Sequence, residues 1–223
     1  NLGALSNGSR GVFGGGEYNL TIEYITIAST GDSTDFGDLT SVFATPSYNA
    51  SGCCNGTRGI FEGGHWDNSG DVLAYITVAS TGNAIAFGAL SVDRFYMATV
   101  ADSTRAVFAG GLIHPTKQNI IDYVAFDTTG DAVDFGNLTV ARTKAGGMSD
   151  TTRGVFSDGE AGDTSISTID YVTIQTTGNA TDFGNRTAVD MYGSGDCSNG
   201  TRGVMMGGTG DLGGVNVMYY ITI

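Results

Sequence analysis

Five arginines, Arg10, Arg58, Arg105, Arg153 and Arg202, stand 48, 47, 48 and 49 residues apart. Each closes a short polar segment: SNGSR, CNGTR, ADSTR, DTTR and SNGTR. A short apolar stretch follows each one: GVFGGG, GIFEGG, AVFAGG, GVFSDG and GVMMGG. After a loop of variable composition comes a second: EYITIASTG, AYITVASTG, DYVAFDTTG, DYVTIQTTG and YYITI. Four copies then carry DFGDL, AFGAL, DFGNL and DFGNR. A period of this length describes one supersecondary unit that buries its apolar surface against its neighbours.

Each copy reads as short strands, here called a to d. Strand a precedes the arginine, b follows it, c holds the YITI-like run, and d holds the Phe-Gly segment. The a–b link has hairpin chemistry, because Asn, Asp and Gly accept the positive φ that tight turns need. The T-G-[ND] link between c and d is a turn for the same reason. Strand c is apolar at both alternating sets, as with Ile22 and Tyr24 against Ile25 and Ile27. A strand of that kind is covered on both faces. The expected fold is all-β: a five-bladed β-propeller in one domain over residues 1–223. The repeats run over approximately 1–38, 39–88, 89–136, 137–184 and 185–223.

The alignment assigns core positions. Phe13, Phe61, Phe108, Phe156 and Met205 share one place, and Tyr24, Tyr75, Tyr123, Tyr171 and Tyr220 another. Phe36, Phe87, Phe135 and Phe183 share a third. Five residues before each arginine stand Leu5, Cys53, Val100, Met148 and Cys197, so Cys53 and Cys197 are expected as buried thiols. Three cysteines form no disulfide framework. The fifth copy stops at Ile223 without a strand d, which fits a closed ring of five or a window on a larger propeller. A chain that opens on Asn1 reads as a processed product or a piece of a longer one.

A strand ending in Gly-Gly, a variable loop, a Tyr-containing strand, a Thr/Asn turn and an aromatic residue before the next copy together resemble the kelch repeat. The resemblance covers nearly the whole chain and implies propeller blades. It departs where Phe stands for the usual tryptophan of the last strand, and where the fourth copy has Ser157-Asp158-Gly159. The Y-[IV]-T-I-x-[ST]-T-G-[ND]-A-T-D-F-G form is also similar to repeats in structural proteins of marine tailed phages, which implies a virion or extracellular address.

Function has to be sought in what the copies do not share. In a propeller the b–c loops and d–a segments emerge on one face, and here these vary while the opposite turns are nearly identical. Variable loops on a repeated scaffold are how binding surfaces are built. Tyr18, His65, Trp66, Tyr96, His114 and Tyr192 are the candidate contacts, with Tyr48, Arg94, Arg142, Lys144 and Asp190 in the same segments. Aromatic rings beside Asn, Asp and Arg suit a glycan or a protein loop on a surface. The competing reading is an architectural subunit that packs within a larger assembly. The repeated arginines are expected to serve structure, by satisfying turn carbonyls or pairing with Asp35, Asp134 and Asp182.

Other chemistry is weakly represented. The formal charge is −13, with 10 basic and 23 acidic residues, which disfavours nucleic acid and anionic membranes. No apolar run approaches the ~18 residues of a membrane helix. Two histidines without a cysteine partner do not compose a zinc site. The run Asp158-Gly-Glu160-Ala-Gly-Asp163 offers oxygen ligands but lacks EF-hand spacing, so it is expected as an acidic, solvated loop rather than a calcium site. No nucleophile elbow, zinc-protease or phosphate-loop motif occurs. The chain is therefore expected to be non-catalytic, without metal or cofactor.

Overall fold

The computed structural model describes the chain except residues 1, 17–18, 40–41, 44–49, 64–70, 188–190 and 212. The fold is all-β, and its five small antiparallel sheets are five propeller blades. The first sheet runs Gly3–Ser6, Arg10–Gly14, Thr21–Thr26 and Thr34–Asp38, and the second Ser51–Cys54, Arg58–Glu62, Val72–Thr77 and Ile85–Ala89. The third comprises Ala98–Ala101, Arg105–Ala109, Ile120–Ala125 and Val133–Asn137, and the fourth Gly146–Ser149, Arg153–Ser157, Thr168–Thr173 and Thr181–Asn185. The fifth has three strands, Gly195–Ser198, Arg202–Met206 and Met218–Thr222. In every sheet the strands lie in sequence order, as expected of a meander built on tight turns.

Two compact units make up the chain. One contains Asn1–Phe95, Ser103–Ala106 and Val124–Val133; the other contains Tyr96–Asp102, Val107–Tyr123 and Asp134–Ile223.

The a–b turns are held by side-chain caps. Asn7 Oδ1 accepts hydrogen bonds from the backbone N–H groups of Ser9 (3.0 Å) and Arg10 (2.8 Å), and Asn55, Asp150 and Asn199 repeat the arrangement. This is the Asx geometry that makes Asn and Asp turn formers. The arginine that follows is a structural brace, as expected. Arg10 lies over the Tyr24 ring at 4.5 Å and donates to Val78 O at 3.1 Å. Arg58 lies over Tyr75 at 4.3 Å and donates to Phe126 O.

The two most regular motifs are partners of each other across successive sheets. In the first unit, Gly82 N–H donates to Phe36 O and Gly130 N–H donates to Phe87 O; in the second, Gly178 N–H donates to Phe135 O. The Asn or Asp after each T-G caps the same strand: Asn83 Oδ1 accepts from Asp38 N–H, Asp131 from Ala89 N–H, and Asn179 from Asn137 N–H. The glycine of Phe-Gly is required by this approach. A Cβ on Gly136 would stand 2.4 Å from Gly178 O, and its φ of 147° is one that L side chains rarely adopt.

Apolar packing follows the alignment in the inner sheets. Phe61, Phe108, Phe156 and Met205 are fully buried, and each Tyr–Phe pair meets edge to face at 5.9–6.0 Å. Two expectations need correction. Phe13 is half-buried where its counterparts are enclosed, and Cys197 is exposed where Cys53 is buried. Both side chains sit on outward faces of the first and fifth sheets, where among the described residues no further sheet packs. The three thiols are unbridged, and burial pushes the Cys53 thiol far above its usual range.

Candidate functional site

In the second unit the b–c loops fold into three small hairpins: Leu112–Ile113 with Thr116–Lys117, Glu160–Ala161 with Thr164–Ser165, and Thr209–Gly210 with Gly213–Gly214. They are tied into one surface. Lys117 Nζ pairs with Glu160 Oε1 at 2.9 Å and donates to Gly162 O, joining the first hairpin to the second. Asp211 Oδ1 accepts from Ser165 N–H (2.9 Å) and Ser165 Oγ (2.6 Å), joining the second to the third.

The d–a segments run beneath this surface and bond to each other through the backbone. Lys144 N–H donates to Tyr96 O and Gly193 N–H donates to Lys144 O, both at 2.9 Å. The repeat therefore stacks residues 96, 144 and 192, spaced 48 apart, next to one another. Lys144 Nζ lies 5.3 Å from the Tyr96 ring centroid and 4.7 Å from that of Tyr192, a cation held by two rings. Glu160 Oε2 accepts from the same ammonium at 3.0 Å. Burial raises the Glu160 pKa, but hydrogen bonds from Lys117 and Lys144 outweigh it and hold the carboxyl below its usual range. Tyr96 and Lys144 both adopt positive φ, 62° and 56°, a cost that surrounding structure must sustain.

Of the expected contacts, Tyr96 and Tyr192 are thus brought together, each half-buried. His114 is exposed at the tip of the first hairpin. Tyr18, His65 and Trp66 lie outside the described residues, as do Tyr48 and Asp190. Arg94 and Arg142, expected on the variable face, are instead fully buried. Arg142 Nη2 meets Asp170 Oδ2 at 2.5 Å with both side chains sealed from solvent, and Arg142 Nη1 donates to Thr168 O at 2.8 Å. Asp170 also accepts from Thr139 N–H and Oγ1, so this buried pair is hydrogen-bonded as such pairs must be.

The acidic run is neither solvated throughout nor arranged around a cation: its carboxylates face ammonium and guanidinium groups. Glu160 meets two lysines, Asp163 lies 3.8 Å from Lys117, and buried Asp158 pairs with Arg186. That last pair replaces an apolar contact. The other copies have Gly where Asp158 stands and Leu39, Leu90 or Leu138 where Arg186 stands; in the third, Leu138 Cδ1 lies 3.3 Å from where a Gly110 Cβ would be. Both exchanges fall in the same repeat, a signal visible in the sequence once the positions are known to touch.

Three buried carboxyls have raised pKa values. Burial pushes Glu62 up to about 8, against a hydrogen bond from Ser51 and the nearby Arg94 charge. Burial pushes Asp158 up to about 7 despite Arg186, and Asp196 up to about 6 despite bonds from Ser194 and Ser157. A carboxyl whose folded pKa exceeds its unfolded value holds its proton more tightly when folded. For Glu62 the resulting stability is complete below pH 4.5 and is lost as pH rises toward about 8. Thermal unfolding between pH 5 and pH 8.5 should show stability falling with pH, by on the order of 2 kcal/mol, with Glu62→Gln removing part of the slope. A flat or rising profile would contradict these assignments.

No family model and no curated protein sequence matches this chain.

Proposed function

We propose that the chain is a non-catalytic recognition module of kelch-like type, presenting its hairpin face to a glycan or to a protein on a surface. The observation that carries this reading is the Tyr96–Lys144–Tyr192 stack, fixed by backbone bonds and set beside three cross-linked hairpins. Half-exposed tyrosines give flat, rigid contact area at little entropic cost. Glu160 offsets the lysine charges, so the surface suits a neutral polyhydroxylated ligand better than a polyanion. The similarity to tailed-phage repeats makes a virion or cell exterior the natural setting.

A glycan array tests this. Selective retention of a few saccharides is expected, with Tyr192→Ala weakening it at least about tenfold while the melting temperature stays within a few degrees. Absence of selective retention at high protein concentration would remove the glycan reading. The architectural alternative gains weight from one observation, the bare outer faces of the first and fifth sheets.

A further inference from the structure

Within each unit, successive sheets pack by one rule. The residue five before each repeat arginine is a knob, and it seats over the residue just after the next repeat arginine. A Cβ built on Gly59 would stand 2.6 Å from Leu5 Cδ2, one on Gly154 2.6 Å from Val100 Cγ2, and one on Gly203 2.1 Å from Met148 Sδ. The holes are closed to any larger residue by the knobs that fill them. The arginine of the knob-bearing sheet reaches across the same contact, as Arg10 does to Val78 O.

The chain carries one knob face and one hole face that this rule leaves bare. On the fifth sheet, Cys197, Met206, Met218 and Tyr220 are exposed, Met218 to 67% and Tyr220 to 64%, although its equivalents Tyr24, Tyr75, Tyr123 and Tyr171 are half-buried. On the first sheet, Phe13 and Ile25 are half-buried and Ile27 is 51% exposed, whereas its equivalents Val78, Phe126 and Ile174 are fully buried. The atoms nearest to Gly11 belong to Ile25 and Phe13 of its own sheet.

We infer that the fifth sheet of one copy of this chain docks on the first sheet of a second copy, repeating the internal packing across a head-to-tail interface. In this register Cys197 takes the place of Leu5 over Gly11, Tyr220 covers Phe13 and Ile25, and Arg202 donates to Ile27 O as Arg10 does to Val78 O. The two faces differ, so the contact is heterologous and continues into a ring or a filament. The inference is independent of ligand binding on the hairpin face.

Sedimentation velocity on the full chain tests it with two variants placed at exposed positions, Ile27→Arg and Met218→Arg. The mass of the unmodified protein should rise above 22.9 kDa with concentration. Each variant alone should remain a monomer with an unchanged melting temperature, because each has lost one of the two faces. Mixed together, they should form a 1:1 dimer and nothing larger, since one blocked face of each kind remains. Alkylation of Cys197 should slow as the unmodified protein is concentrated. An unmodified chain that stays monomeric to about 0.5 mM, or single variants that associate as well as it does, would overturn the proposal.

Discussion

Arg186→Leu should destabilise the protein by about 3 kcal/mol, and adding Asp158→Gly to it should restore most or all of the loss. Arg186 and Asp158 are both buried, and their pair occupies the place that Leu138 and Gly110 fill one repeat earlier. Removing one partner leaves an ionisable group in a space sized for it but without its counterpart. Removing both returns the site to the apolar packing that the neighbouring copy already tolerates. Glycine at 158 also relieves the positive φ of 61° that Asp158 sustains. Chemical denaturation of the two single variants and the double gives the coupling energy directly. A value above about 2 kcal/mol is expected, whereas losses additive within about 0.5 kcal/mol would mean that the two exchanges are unrelated.

Phe108→Ala should cost about 3–5 kcal/mol, the loss typical of an enclosed aromatic side chain. The same substitution at Phe13, the matching position of the first repeat, should cost no more than about half as much, measured where the protein is dilute. Phe108 is fully buried and Phe13 is half-buried, so the difference reports on the outer face rather than on the residue type. Equal losses at the two positions would mean that the first sheet is covered in solution even when dilute.

The repeat made the fold legible because each motif has a local physical reason. The Asn and Asp caps, the Phe-Gly strand and the T-G turn could each be placed from spacing alone. What spacing did not show was that Phe-Gly of one copy and T-G of the next are hydrogen-bonded partners. That contact joins residues more than 40 positions apart, and no residue type announces it. The site was partly legible for the same reason. Tyr96 and Tyr192 stood out as aromatic rings in variable segments, but Lys144 between them looked like an ordinary surface lysine. Only the shared repeat position, read together with the stacking of successive d–a segments, puts its ammonium between two rings. Arg142 misled because a charged residue in a loop suggests solvent, whereas Asp170, on a neighbouring strand, draws it into the interior. Cys197 misled in the opposite direction: its slot is apolar in every copy, yet burial depends on the sheet that follows rather than on the residue itself.

The most direct measurement is a chemical-shift map of the protein titrated with the saccharide that an array retains best. Perturbations should be confined to Tyr96, Lys144, Tyr192 and the three adjoining hairpins. Shifts centred on the T-G-[ND] turns, or none at millimolar saccharide, would contradict the assignment of recognition to this face.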